Sequence, residues 1–312
     1  MKKITVAVLS GGVSSERSIS LKSGEQVLGA LDRGKYEVRR YDPASDLGRI
    51  VSEKSEIDIA LIVLHGPFGE DGTMQGFLDM LGIPYQGSGV LGSSIAMDKL
   101  MSKRLYRDAG LLTPLFCALE KGINCNASDV IDKVGLPFII KPVHGGSSIG
   151  MRIVFHEKDF EKALEGAFKE DSLLLAEEYI QGREITGSVL GNESLELLPI
   201  VEIIPDNSYT FFDYKAKYTP GATQEICPAL LDSDLAERAK ECASVAHKIL
   251  SCSGYSRTDM IVRNSDIFVL ETNTIPGMTP VSLFPLAART AGISFSQLLD
   301  RLIELGLSRK RK

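Results

Sequence analysis

The stretch 254–278, GYSRTDMIVRNSDIFVLETNTIPGM, constrains this chain more than any other. Two apolar runs, 260–262 and 267–270, flank Asn264-Ser265-Asp266, and apolar runs around turn-forming residues read as a β-hairpin. A three-residue loop at 264–266 opposes Asp259 to Glu271 and Arg257 to Asn273. Strand side chains alternate with period two, so all four share one face. Like charges opposed across a hairpin repel, so a positive group is expected between the two carboxylates. The all-oxygen set Asp259, Glu271 and Asn273 suits a hard cation, and Mg2+ typically joins one or two carboxylates to substrate phosphates. Arg257 suits an anion that gains charge during a reaction. The plain alternative is an acidic strand end facing water, which the apolar flanks disfavour; a bulge would shift the register.

The start of the chain follows a different pattern. Residues 4–9 are continuously apolar, as in a parallel strand covered on both faces. Gly11-Gly12 and a helix pattern ending near Gly34 follow, a strand–turn–helix order like that of a Rossmann-like unit. GGVSSE is not G-x-G-x-x-G, so dinucleotide binding is weakly signalled. Glu16 falls at the mouth of the first strand, where ligands bind in open α/β sheets, although a helix-start carboxylate is also favoured there by the dipole. Strands are expected at 36–41 and 57–64, the latter opening at His65 into the glycine-rich loop GPFGEDG. A helix at 73–81 and a short strand at 83–85 precede a turn at 87–92.

One helix is expected over 93–109, carrying Lys99, Lys103 and Arg104. The strand 136–141 ends at Lys141 and enters VHGGSSIG, whose glycines let backbone N–H groups approach phosphate oxygens; an ordinary hairpin loop is the alternative. Strands at 151–155, 172–180, 184–190 and 197–204 and helices at 128–134, 158–168, 233–250, 282–291 and 294–305 complete the pattern. The segment 205–228 is long, polar and aromatic, with little apolar periodicity, and reads as an ordered lid.

Composition narrows the function classes. The 312 residues suffice for two or three domains, and a net charge of −6 gives no nucleic-acid footprint. Five scattered cysteines without a C-x-x-C pair read as free thiols, and four scattered histidines disfavour zinc. No run approaches the roughly 20 apolar residues of a membrane span, and the apolar segment 4–9 is too short for a signal peptide. A cytoplasmic protein with no membrane or nucleic-acid partner is expected.

Seven ordered motifs then carry a resemblance: GGVSSERSISLKSG, LHGPFGEDGTMQG, KPVHGGSSIGM, EEYIQGRE, FFDYKAKYTPGATQEICPA, GYSRTDM and ETNTIPGMTPVSLFP. Together they resemble the ATP-grasp superfamily and, within it, the D-alanine–D-alanine ligase family. The resemblance implies α/β and α+β parts: a Rossmann-like domain over residues 1–95 and ATP-grasp subdomains over 96–180 and 181–312. It implies an ATP-dependent carboxylate–amine ligase that joins two D-alanines through an acyl phosphate for peptidoglycan precursor synthesis. It places Lys99 and Lys141 on the ATP phosphates, with Ser147 and Ser148 beside them. It places Glu177, Glu178 and Ile180 at the adenine, Glu184 at the ribose and Lys217 at the γ-phosphate. Asp259, Glu271 and Asn273 would hold two Mg2+, which Mn2+ can replace. Glu16 and His65 would serve the first D-alanine, and Ser282 and Leu283 the carboxylate of the second. Arg257 and Gly277 would form the oxyanion site, while Glu16, Ser147 and Tyr218 would pin the lid shut. A homodimer is implied as well.

The chemistry accounts for these residue types. A carboxylate is a poor acyl donor until phosphorylated, and phosphoryl transfer is positioning plus charge neutralisation. An acyl phosphate hydrolyses, so the site needs a lid. A ligase using D-lactate or D-serine as second substrate is the nearest alternative, against which Tyr218 favours an amine. A dinucleotide-dependent oxidoreductase is the distant one, disfavoured by the missing fingerprint and the unexplained acidic hairpin.

Overall fold

The computed structural model describes residues 3–146, 149–205 and 223–309. Its first part runs β1 (Ile4–Leu9), α1 (Arg17–Ala30), β2 (Tyr36–Tyr41), α2 (Leu47–Ser52), β3 (Ile59–Ile62) and α3 (Thr73–Leu81). The middle runs α4 (Val90–Met97), α5 (Lys99–Asp108), β4 (Phe116–Glu120), α6 (Ala127–Val134), β5 (Phe138–Pro142), β6 (Arg152–Val154), α7 (Phe160–Ala167) and β7 (Leu173–Glu178). The last part runs β8 (Arg183–Gly191), β9 (Glu196–Leu197), β10 (Val201–Pro205), β11 (Thr223–Ile226), α8 (Ser233–Ile249), β12 (Gly254–Arg263), β13 (Asp266–Asn273), α9 (Leu283–Thr290) and α10 (Phe295–Ser308).

The first sheet is parallel, in the order β2-β1-β3. Its central strand is buried on both faces, which is why its sequence does not alternate. Val6 and Val8 pack with Val27 of α1 and with Phe284, Leu298 and Leu302 of α9 and α10. Ala7 and Leu9 pack with Ile50, Met74 and Leu78 of α2 and α3. The expected strand at 83–85 is a single parallel bridge between Ala60 and Tyr85. There the Gln86 side chain takes a strand's place: its Oε1 accepts from the Ile62 N–H at 2.8 Å and its Nε2 donates to the Ile62 carbonyl at 2.7 Å.

The other two sheets are antiparallel, β4-β7-β5-β6 and β11-β10-β8-β12-β13, with β9 on β8. Helices α6 and α7 bury Val130, Phe160 and Ala163 against Phe138, Ile140 and Ala176. Helices α4, α5 and α8 bury Ala96, Tyr106 and Ala243 against Val189, Met260 and Val269.

Three expectations are corrected here. The helix expected over 93–109 is two, because Asp98 is extended (ψ 100°) and its carboxylate accepts from the Met101 N–H at 2.9 Å, capping α5. The strand expected over 197–204 divides around Pro199 into β9 and β10. The segment 205–228 lies mostly outside the described residues, but its end is strand β11, paired with β10. Strand β4 carried no clear alternation and was not expected.

The hairpin register holds for a reason the sequence concealed. Arg257 opposes Asn273 and Asp259 opposes Glu271. The turn, however, has two residues, Asn264 and Ser265, because Arg263 already pairs with Asp266. Asn264 adopts φ 60°, which suits an asparagine in a tight hairpin turn. The register then shifts between Asp259 and Met260, leaving Leu270 as the extra residue of a β-bulge. The shorter turn and the bulge cancel.

Candidate active site

A cleft of about 500 Å3 opens between the two antiparallel sheets. Residues 179–182 carry the chain from β7 in one sheet to β8 in the other. Gly182 is needed there, since a Cβ would stand 2.2 Å from the Val262 carbonyl oxygen. Lys99, Lys141, Glu177, Glu178, Ile180 and Glu184 all line the cleft, with Asp259 and Glu271 of the hairpin. Ile139, Met260 and Leu270 supply apolar wall. Ser147, Ser148, Lys217 and Tyr218 lie outside the described residues.

Charge inside the cleft is paired. Lys141 Nζ lies 3.2 Å from Glu177 Oε1, and Lys103 Nζ lies 2.7 Å from Glu177 Oε2. Burial would raise the Glu177 carboxyl, but Lys103 and Lys141 outweigh it and its pKa is lowered. Glu178 is held by Arg263 at 2.8 Å. Lys103 was not among the expected site residues; its spacing of four from Lys99 on one helix was the available signal.

On the hairpin face Asp259 is a hub. Its Oδ1 accepts from Thr186 Oγ1 at 2.8 Å and from Arg257 Nε at 2.9 Å. Its Oδ2 accepts from Arg257 Nη2 at 2.8 Å and from Asn273 Nδ2 at 3.1 Å. Lys99 Nζ stands 3.9 Å from Glu271 Oε2. Arg257 and Lys99 therefore supply the positive charge that the opposed carboxylates require, and the pairing alone does not demand a metal. The donor set still suits Mg2+: two carboxylates and an amide oxygen beside a phosphate-sized space. Among the described residues no three His, Cys, Asp or Glu side chains form a cluster that could hold a metal ion.

The mouth of the parallel sheet faces the same region. Gly11 and Gly12 turn with φ 102° and 77°. Ser14 Oγ donates to the His65 carbonyl at 2.6 Å and accepts from the Glu16 N–H at 3.2 Å, tying the loops after β1 and β3 together. A Cβ would stand 2.9 Å from Glu16 Oε2 at Gly66 and 3.2 Å from it at Gly146. One buried carboxylate thus sits between a loop of the first sheet and the glycine loop of the middle sheet. His65 is buried, its Nε2 has no hydrogen-bond partner among the described residues, and burial, then Arg257, lowers its pKa to about 4. Glu70, also not expected, accepts the Gly66 N–H at 2.7 Å; burial, then Glu16, pushes its pKa up to about 8. Its signal was the acidic GPFGEDG stretch.

Gly277 and Ser282 meet beside α9. The Thr279 N–H donates to Ser282 Oγ at 3.2 Å, and a Cβ on Gly277 would stand 3.1 Å from that oxygen. Ser282 occupies the N-cap position but does not cap its own helix. The first-turn N–H groups, Leu283 included, thus have no side-chain cap, an arrangement suited to an anion.

Known proteins resemble this chain along its length. Family models described as "D-ala D-ala ligase N-terminus" and "D-ala D-ala ligase C-terminus" match residues 39–88 and 105–304. The D-alanine–D-alanine ligase of Syntrophobacter fumaroxidans is 58% identical, over 98% of each chain. The crystal structure of the Bacillus anthracis D-alanine–D-alanine ligase complexed with ATP superimposes with a TM-score of 0.86 at 39% identity, over 97% of each chain. The VanG D-Ala:D-Ser ligase of Enterococcus faecalis superimposes with a TM-score of 0.83 at 32% identity, over 97% of this chain and 99% of that one.

Proposed function

This chain belongs to the D-alanine–D-alanine ligase family, and we propose that the cleft between its antiparallel sheets holds ATP while the mouth of its parallel sheet holds the first D-alanine. It is an ATP-dependent ligase with the ATP-grasp fold and an N-terminal parallel-sheet unit. One observation carries the residue-level reading. Lys99, Lys141, Glu177, Glu184, Asp259 and Glu271 come from six elements and line one cleft.

In this reading Lys99 and Lys141 bind the α- and β-phosphates and Lys217 the γ-phosphate. Glu177, Glu178 and Ile180 enclose the adenine, with Ser147 and Ser148 over the phosphates, and Glu184 binds the ribose. Asp259, Glu271 and Asn273 would hold two Mg2+, or Mn2+ in their place, whose chemistry is to neutralise charge on the transferring phosphoryl group. Glu16 takes the ammonium of the first D-alanine, and His65, neutral and buried, packs beside it. The phosphoryl group passes to that substrate's carboxylate and ADP leaves. Ser282 and the Leu283 N–H hold the carboxylate of the second D-alanine. Its ammonium first yields a proton to solvent; the free amine then attacks the acyl carbon, the bond to the phosphate oxygen breaks, and phosphate departs with the amine's second proton. Arg257 and the Gly277 N–H stabilise the oxyanion formed on the way. Arg257 must then exchange part of its bond to Asp259 for the substrate, which a cation on Asp259 would favour. Glu16, Ser147 and Tyr218 close the lid against water.

The proposal extends to a three-part division near residues 95 and 180, a homodimer, and a cytoplasmic place in peptidoglycan precursor synthesis. Among the described residues no helix is long and apolar enough to cross a membrane. The test is phosphate release from ATP and Mg2+ with D-alanine, L-alanine, D-serine or D-lactate as substrate, with products identified by mass. D-alanine is expected to give one phosphate per dipeptide, and L-alanine none. Faster mixed-product formation when D-serine or D-lactate is added beside D-alanine would contradict D-alanine as the preferred second substrate.

A further inference from the structure

Glu177 is a buried carboxylate approached by two lysines. Lys103 and Glu177 are essentially out of solvent, with side-chain exposures of 0% and 2%. Lys141 keeps 12% and lines the cleft, whereas Lys103 does not line it. The two ammonium groups approach different oxygens of the carboxylate, Lys103 at Oε2 and Lys141 at Oε1. Lys141 stands at 3.2 Å, whereas the Lys103 ammonium, at 2.7 Å, is the nearer of the two to the carboxylate and within reach of a charge-assisted hydrogen bond. Its helix is fixed from the other side by Tyr106, whose hydroxyl donates to Thr272 Oγ1 at 2.7 Å. Lys103 therefore meets Glu177 from behind the cleft wall, while Lys141 reaches it from the cleft side.

We propose that Lys103 is a positioning residue for nucleotide binding: it neutralises Glu177 from behind, so that Lys141 can leave that carboxylate for a phosphate. The inference rests on the reading of the cleft as the ATP site. Without Lys103, the full charge of a buried carboxylate falls on Lys141. Buried ions that lose one partner hold the remaining one strongly, because the alternative is an uncompensated charge in a poorly solvated place. Lys141 would then be retained by Glu177, and its own positive charge would be cancelled at the point where a phosphate should meet it. Lys99, which approaches Glu271 on the hairpin, would remain as a phosphate lysine. The adenine and ribose contacts would be untouched.

This predicts a loss confined to phosphate recognition, which a general weakening of the fold would not produce. The measurement is titration calorimetry of ATP and of adenosine, each with Mg2+, on wild type, Lys103→Met, Lys103→Arg and the double variant Lys103→Met/Glu177→Gln. The readout is the ratio of the two affinities. Lys103→Met is expected to lower the ATP-to-adenosine ratio roughly ten-fold or more, about the effect of losing one charge-assisted phosphate contact. Lys103→Arg restores the charge and should keep the ratio within about three-fold of wild type. The double variant removes the carboxylate that traps Lys141, so both absolute affinities fall with the loss of Glu177 from the adenine pocket while the ratio recovers relative to Lys103→Met. Should Lys103→Met not fold, Lys103→Gln carries the same test, since it keeps a polar group against Glu177 but no charge. An unchanged ratio in the single uncharged variant, or a ratio in the double variant as low as in the single, overturns the proposal. A wild-type protein that does not prefer ATP to adenosine refutes the nucleotide-site reading itself.

Discussion

Two histidines, His65 and His247, are buried and neutral in the folded chain. Burial lowers each to a pKa of about 4, with a smaller push from Arg257 at His65 and from Lys248 at His247. An unfolded chain would protonate both near the ordinary value of about 6.5. Between pH 6.5 and 4 the unfolded state therefore binds more protons, so their contribution is full above 6.5 and is lost as pH falls. Each histidine should add about 1.4 kcal/mol per pH unit to the slope within that window. Replacing His247, whose Nδ1 lies 2.7 Å from Ser256 Oγ, by Gln removes one of the two slopes. Urea midpoints at pH 7 and 5 should lie closer together in His247→Gln than in wild type; parallel curves would contradict the assignment. At this scale the sequence showed residue type and spacing but not burial. Type and spacing marked Lys141 and the hairpin carboxylates as candidates, the family resemblance added Lys99, and both passed over Lys103 and Glu70, which only burial beside Glu177 and Glu16 brings forward.

Elements were legible where one pattern dominated a segment and illegible where two competed. The continuous apolar run of β1 and the amphipathic α8 and α10 emerged as expected. The run 93–109 did not, because its apolar periodicity continues through Asp98 while that residue's preference for a cap breaks the helix. The hairpin gave the right opposed pairs from a wrong loop length, since period alone cannot separate a three-residue loop from a two-residue turn with a bulge. The cap has a consequence that can be measured. Asp98 starts the helix that carries Lys99 and Lys103, so Asp98→Ala should cost about 1 kcal/mol of stability and raise the KM for ATP. Asp98→Asn keeps a capping oxygen and should stay close to wild type in both. Equal loss in the two variants would mean that the carboxylate acts through His144, whose Nε2 is 3.6 Å away, and not as a cap.

At the scale of the whole molecule, the site exists because three sheets present their edges and mouths to one region. Glu16 arrives from the first sheet, Lys141 and Glu177 from the second, and Asp259 and Glu271 from the third. No local pattern reports that meeting. It was legible only through the order of seven motifs taken together, and the expected site residues Ser147, Ser148, Lys217 and Tyr218 lie outside the described residues. The packing explains how the arrangement is held: Tyr255, beside the hairpin's functional face, stacks edge-on against Phe284 at 5.4 Å, in the same apolar cluster as Val6 and Val8. The central claim is that the hairpin face holds the cation that serves ATP. It is tested most directly by titrating Mg2+ into the D-alanine-dependent phosphate-release assay with wild type and Glu271→Gln. The amide keeps size and polarity but removes an anionic ligand. Activity should fall by more than about 100-fold at every Mg2+ concentration, with thermal stability close to wild type, because the relief of repulsion from Asp259 is offset by the lost pairing with Lys99. Wild-type activity in Glu271→Gln at saturating Mg2+ would contradict the claim.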